Sequence, residues 1–246
     1  MRKLILKLTT LLVLAAAAAP ALALGPLDIN AELPLYSKHV WRGSVITNDP
    51  VLQPSLSTDI MGFGVGFWAN MDLTDYNGTE TKFNKIDWTL NYGMPLPLLD
   101  LNFGLIYYSF PNTETDGTAE IYATGSAHVL LHPTLEIYYD FKEIDGAYVN
   151  ASVRHGVPLN PSLNLELGAG LGFGDGDYNK GYFGAGNAGA NNFLLTAGVP
   201  FHPAPLFTIT PSLNYSTLLG DSKDAVDAAD GEADAFFFGI SAAFKF

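Results

Sequence analysis

Apolar and polar side chains alternate with a period of two along most of this chain, which is the pattern of strands and not of helices. The alternation is cleanest in Leu163-Asn164-Leu165-Glu166-Leu167-Gly168-Ala169-Gly170-Leu171-Gly172-Phe173. It recurs at Leu101/Phe103/Leu105/Tyr107, Leu135/Ile137/Tyr139/Phe141 and Phe207/Ile209/Leu213/Tyr215. In the last stretch Phe236, Phe238, Ile240, Ala242, Phe244 and Phe246 share one parity, and Phe237, Gly239, Ser241, Ala243 and Lys245 the other. The pattern predicts twelve strands, at about 28–42, 51–59, 62–73, 83–94, 98–110, 118–131, 133–143, 146–158, 161–174, 190–201, 205–217 and 235–246. After the N-terminal segment, no helical periodicity of useful length appears.

The connections alternate too. Met61-Gly62, Pro95-Leu96-Pro97, His132-Pro133, Asn160-Pro161 and 202–205 are short and mostly Pro-rich. Those at 43–50, 74–82, 111–117, 175–189 and 218–234 are longer, polar, and acidic or Gly-rich, with a short one near Asp145-Gly146. An even strand number places every long connection at one end. Short turns at one end, long loops at the other and an apolar outer face predict an all-β fold: a transmembrane antiparallel β-barrel of about twelve strands. Pro34 and Pro54 fall inside predicted strands, where a missing N–H must meet a bulge or a break. Trp68 shares the parity of Gly64 and Gly66 and is expected to point inward.

The N-terminus reads as an export signal. Arg2, Lys3 and Lys7 precede an apolar run, Pro20 breaks it, and Ala21-Leu22-Ala23 fits the small-x-small cleavage rule. Residues 1–23 are therefore assigned as a signal peptide and 24–246 as one barrel domain. No later segment approaches the ~18–20 apolar residues of a spanning helix. Yet the mean hydropathy is +0.16 and aromatics make up 13% of the chain. That combination suits apolar residues spread over alternate positions. Removing three basic leader residues takes the formal charge from −13 to −16. Such a balance excludes a generic nucleic-acid binder. The absence of Cys rules out disulfides and thiol chemistry.

With apolar parity facing lipid, the inward charged set is Glu32, Lys38, Arg42, Asp72, Lys85, Asp87, Glu120, Glu136, Asp140, Arg154 and Glu166, joined by Asp100, Lys142 and Lys245. Eight acids and six bases make a nearly balanced lining. Strand spacing and tilt give twelve strands a backbone radius of about 12 Å, so side chains leave a narrow passage. A plug of ion pairs is the competing reading of the same residues. The connection carrying Asp221, Asp224, Asp227, Asp230, Glu232 and Asp234 is expected to form an acidic mouth that attracts cations, or divalent ions bridging lipopolysaccharide.

Other motifs fall short of the chemistry they imitate. Asp175-Gly176-Asp177-Tyr178-Asn179-Lys180-Gly181 imitates a calcium loop, but Gly falls at the seventh position and Gly186 stands where Glu is required. The glycine run 168–174 is strand alternation and not a dinucleotide fingerprint. His39, beside Ser37, and His155 have outward parity, yet neither lies in a nucleophile signature. No enzyme activity, cofactor or metal is expected.

Two resemblances sharpen the assignment. The tail ending at Phe246 resembles the C-terminal assembly signal of bacterial outer-membrane proteins, which implies outer-membrane lipids and the barrel-assembly machinery as partners. Tyr36-Ser37-Lys38-His39-Val40-Trp41-Arg42-Gly43, followed by Pro50-Val51-Leu52-Gln53-Pro54-Ser55, resembles the TorF-type porin family of Gram-negative bacteria. Phe63 to Asn70, 107–111, 120–122 and 138–140 are similar to its later blocks. The resemblance implies an outer-membrane porin fold and no catalytic residues, and the polar lining predicts a porin-like channel for small polar solutes or ions. The rivals are an outer-membrane lipid hydrolase or acyltransferase and a plugged structural or adhesive barrel.

Overall fold

The computed structural model describes residues 28–160 and 163–246, so the assigned signal peptide lies outside the described residues. In chain order the strands are β1 (Asp28–Tyr36), β2 (His39–Trp41), β3 (Ser44–Thr47), β4 (Val51–Leu52), β5 (Ser55–Ile60), β6 (Phe63–Asp72), β7 (Phe83–Pro95) and β8 (Leu99–Ser109). They continue as β9 (Thr118–Ala127), β10 (Thr134–Asp140), β11 (Gly146–Asn160), β12 (Leu163–Gly174), β13 (Gly189–Gly198), β14 (Phe201–Ala204), β15 (Phe207–Leu218) and β16 (Asp234–Lys245). Two short helices interrupt them, α1 (Gly176–Phe183) after β12 and α2 (Gly220–Ala228) after β15.

Fourteen of the segments form one antiparallel sheet that closes on itself. β4 and β5 hold a single register against β1, Leu35 opposite Leu52 and Glu32 opposite Ser55. β14 continues the pairing of β13 with β15, from Gly198 opposite Ser212 to Phe201 opposite Ile209. The segments thus reduce to a closed barrel of twelve wall strands. β1 meets β16 from Asn30 opposite Lys245 to Tyr36 opposite Gly239, and Phe246 adds a reciprocal pair of backbone bonds with Ile29 at 2.8 and 3.0 Å. Closure removes the open edge that lipid does not tolerate.

The side chains obey the expected parity. Phe236, Phe238 and Ile240 are 62, 60 and 47% exposed on the outer face, while Phe237 is buried inside with its ring 6.2 Å from that of Tyr36. Ile121, Leu135, Ile137 and Leu213 continue this exposed apolar belt around the wall. Such a belt is stable against lipid and costly against water. The prolines also find their places. Gln53 donates to the Pro34 carbonyl at 2.9 Å, and Pro54 occupies the break between β4 and β5, so both missing N–H groups fall at one interruption. Trp68, opposite Asp87 and Ser55, points inward as expected.

Three expectations are corrected. The first wall strand ends at Tyr36 and not at 42, because the chain leaves the wall at Ser37 and folds back as the hairpin β2–β3. Its two-residue turn, Arg42-Gly43, has φ of +46° and +92°. Positive φ at both positions is the type I′ signature, which matches strand twist. Residues 43–50 are therefore the returning arm of that hairpin and not an outer loop; a Cβ on Gly43 would stand 2.6 Å from the side chains of Asn192 and Leu218 on the far wall. The connections 175–189 and 218–234 carry the helices α1 and α2. Asp175, the first residue of the calcium-like stretch, caps α1 by accepting from Tyr178 N at 2.8 Å. Gly184 ends the helix in the left-handed region at φ +74°. An N-terminal Asp and a C-terminal Gly are the ordinary caps of a helix, so the stretch needs no ion to explain it.

Candidate functional site: the lumen and its constriction

The inserted hairpin and α1 divide the lumen into two zones. Toward the end carrying the long connections, inward charges are packed among protein atoms: Asp72 and Asp140 are 0% exposed, Glu120 1% and Lys85 7%. Toward the end carrying the termini, Glu32, Arg154, Glu166 and Lys245 are exposed to the lumen, and Glu136 is half-buried. The wall charges are therefore buried toward one end and exposed toward the other.

The root of the hairpin is held by Asp72 at the outer end of β6. Its carboxylate accepts from Thr47, Asn70, Asn77, Thr79 and Asn84 at 2.8–3.0 Å. These donors come from β3, β6, β7 and the loop between the last two, so one buried charge joins hairpin, wall and loop. The bonds saturate the carboxylate, which makes its burial tolerable. His39, expected to face outward, instead lies buried in the lumen with its ring 5.6 Å from that of Trp68 and Nδ1 unpartnered. Burial, reinforced by nearby Lys85 and opposed by Asp72, pushes its pKa down to about 3, so it is neutral at pH 7.

Two cations cross the constriction, each caged by aromatic rings. The Lys85 ammonium lies 4.9, 5.1 and 4.8 Å from the ring centroids of Trp41, Trp68 and Tyr108, and bonds Asp87 at 3.1 Å. At the hairpin tip the Arg42 guanidinium makes a two-pronged pair with Glu120, both contacts 2.8 Å. Such a fork-to-fork pair fixes orientation as well as adding attraction. The rings of Tyr138 and Tyr148 stand 4.3 and 4.5 Å from its central carbon, and Trp41 4.7 Å. Tyr108 donates to Glu120 at 2.8 Å, and Tyr178 of α1 accepts from Arg42 at 3.3 Å. Asp140 is a second saturated hub: Thr118 donates at 2.7 Å, three successive backbone N–H groups of 142–144 at 3.1–3.3 Å, and Tyr182 at 3.1 Å. It locks α1 to the wall.

Cavities lie on both sides of this partition. Above it, one of about 430 Å³ is bounded by Trp41, Asn77, Lys85, Tyr108 and Tyr182. Below it, one of about 350 Å³ is bounded by Arg42, Glu136, Tyr138, Tyr148, Arg154 and the inward glycines 168 and 170. In the lower one Glu136 accepts from Tyr138 at 3.2 Å and Asn150 at 2.6 Å.

Of the residues expected to line a pore, Glu32, Asp72, Lys85, Asp87, Glu120, Glu136, Asp140, Arg154 and Glu166 lie on inward wall positions. Lys38 and Arg42 do not. Lys38 follows the last residue of β1 by two and pairs with Glu232 near the outer rim, and Arg42 is carried by the hairpin. Lys142 lies beyond β10, over the outward ring of Tyr107, and bonds the Gly117 carbonyl. The residues expected to form a mouth sit at the end carrying the long connections. Asp221 bonds Asn187, Glu232 pairs with Lys38 and Asp234 with Lys223 at 2.6 Å, while Asp224, Asp227 and Asp230 are exposed. Parity could not reveal the aromatic cage. Its members sit on four wall strands, the hairpin and α1, and only the folded chain brings them together.

No protein-family model and no curated protein matches the sequence. Among solved structures the chain is similar to the NanC porin, with a TM-score of 0.50 at 13% identity over 89% of this chain and 100% of that one. It is similar to the KdgM porin, solved alone and in complex with disordered oligogalacturonate, with a TM-score of 0.52 at 10% identity over 89% of this chain and 99% of that one. At such identities the likeness concerns the fold. With the closed wall and the apolar belt, it makes this chain an outer-membrane-type β-barrel of porin architecture.

Proposed function

We propose that this protein is an outer-membrane channel of a Gram-negative bacterium, passing small polar solutes or ions through a narrow lumen whose constriction is the inserted β2–β3 hairpin. The observation that carries this reading is the pair of cavities on either side of one partition, with exposed charges lining the lower half. Charged side chains at membrane depth that face an open cavity mark solute or ion pathways, and Arg154 and Glu166 are such residues. The TorF-type resemblance of the 36–55 region belongs to this proposal, since it covers the hairpin itself. Asp224, Asp227 and Asp230 are exposed, as are Asp221 and Asp234, and this acidic mouth favours cations there. Phe246 is the contact for the assembly machinery, and residues 1–23 are removed on export.

A plugged structural barrel is favoured by a different observation, the dry packing around Arg42 and Asp72. Swelling of proteoliposomes in solutes of graded size separates the two. A channel admits small polar solutes with a sharp size limit and no lipid hydrolysis. A plug admits none, and release of fatty acid would point to the hydrolase.

A further inference from the structure

We propose that the pocket holding the Arg42 side chain is a recognition site for guanidinium-bearing cations, with Arg42 as its resident ligand. The pocket is built by the wall and α1, and the ligand comes from the hairpin. Glu120 on β9 is 1% exposed, bonded by Tyr108 on β8, and presents both carboxylate oxygens to one planar donor fork. Tyr138 on β10 and Tyr148 on β11 supply ring faces at 4.3 and 4.5 Å, and Tyr178 on α1 supplies a hydroxyl acceptor at 3.3 Å. The group that fills this arrangement hangs on a two-residue turn of the inserted hairpin.

The combination is selective by its chemistry. A guanidinium is planar, weakly hydrated and permanently charged, and its fork matches a carboxylate while its faces stack on rings. An alkylammonium keeps the charge and loses the fork. Urea keeps the shape and loses the charge. Arg42 borders the lower cavity, so the pocket is approached from the water-exposed lumen. A solute carrying a guanidinium competes for the site that Arg42 occupies, and winning it frees the tip of the hairpin that closes the channel. That last consequence rests on the channel reading; the binding does not.

The test empties the pocket without disturbing the turn. Arg42→Gly suits the positive φ of this position, and Arg42→Asn, which makes the favoured Asn-Gly turn, serves if the glycine variant fails to fold. Heat-modifiable migration confirms folding. Tryptophan emission is read while methylguanidinium, methylammonium or urea is added at millimolar concentration, since Trp41 borders the vacated space. The expected result is a saturable response to methylguanidinium, at least tenfold tighter than to methylammonium, with none to urea. Adding Glu120→Gln should abolish it. Equal responses to the three probes, or a response surviving Glu120→Gln, overturn the proposal. In planar bilayers methylguanidinium should raise the current of the parent, where it displaces Arg42, and leave that of Arg42→Gly unchanged. Saturable emission in a protein that carries no current keeps the site and removes the channel reading.

Discussion

Replacing Glu120 by Gln probes the partition at its strongest contact. The substitution is nearly isosteric and leaves the backbone pairing of β9 intact, with residue 120 still opposite Ile106 and Asp140. It removes the negative charge that faces Arg42 through two contacts of 2.8 Å, in a place where the two side chains are 10 and 1% exposed. Breaking a buried pair by removing one partner costs about 3–5 kcal/mol, mostly because the remaining charge is left without compensation. The rings of Tyr138, Tyr148 and Trp41 retain part of the attraction, so the lower figure is the better guide. At about 1.4 kcal/mol per tenfold change, about 3 kcal/mol shifts the balance between seated and released hairpin by about a hundredfold. The barrel itself should survive, since none of its wall pairings is touched. Single-channel recording should show larger or noisier steps than the parent, and limited proteolysis should cut in the 37–50 connection. Parent-like current together with parent-like protection of that connection would refute the clamp.

Three other outcomes follow from the same geometry. Ile137, at the centre of β10, is 45% exposed to lipid. Ile137→Arg should therefore cost about 2–4 kcal/mol on urea titration in vesicles. Gly170→Ser should cost far less, because the tightest contact of a Cβ there, 3.3 Å, is with the end of the Asn150 side chain, which needs to yield by only a few tenths of an ångström; the reverse order would mean the faces are exchanged. Because burial lowers the pKa of His39 to about 3 from an ordinary 6.5, its contribution to holding the hairpin is complete above about pH 6.5 and fades as pH falls toward 3. Channel opening or emission should therefore change on acidification, and His39→Gln should flatten that dependence; an unchanged acid response would exclude His39 as its origin. Deleting Phe246 removes the reciprocal bonds to Ile29 and the stacked ring beside Phe244, and should slow assembly as read by heat-modifiable migration.

The wall is legible in the sequence because its signal is repeated. A period of two over twelve strands fixes which side chains face lipid, and the alternation of Pro-rich and polar connections fixes the ends. Trp68 shows that the parity holds even where chemistry argues against it: an inward Trp is explained once His39 and Lys85 are found against its ring. The hairpin escapes such a reading because Ser37-Lys38-His39-Val40-Trp41 carries no Gly, Pro, Asn or Asp to mark a break after Tyr36. Only Arg42-Gly43 betrays a two-residue turn, and it lacks the Asn or Asp that usually marks one. The helices escape it for their length, eight and nine residues, too short for a periodicity to register. The local signs are Asp175 at the cap and Gly184 at the end. The cages depend on contacts between residues 78 and 136 positions apart, which no local pattern encodes.

The central claim, conduction through a narrow lumen with a negative outer entrance, is tested most directly by reversal potentials across planar bilayers in a salt gradient. Fixed ohmic steps should appear, with cations favoured at low salt and the preference fading toward molar salt, where screening shrinks to about 3 Å. Neutralising Asp224, Asp227 and Asp230 should remove most of that preference while leaving the step size intact. A silent bilayer from folded protein, or an anion preference that persists after neutralisation, would contradict the account.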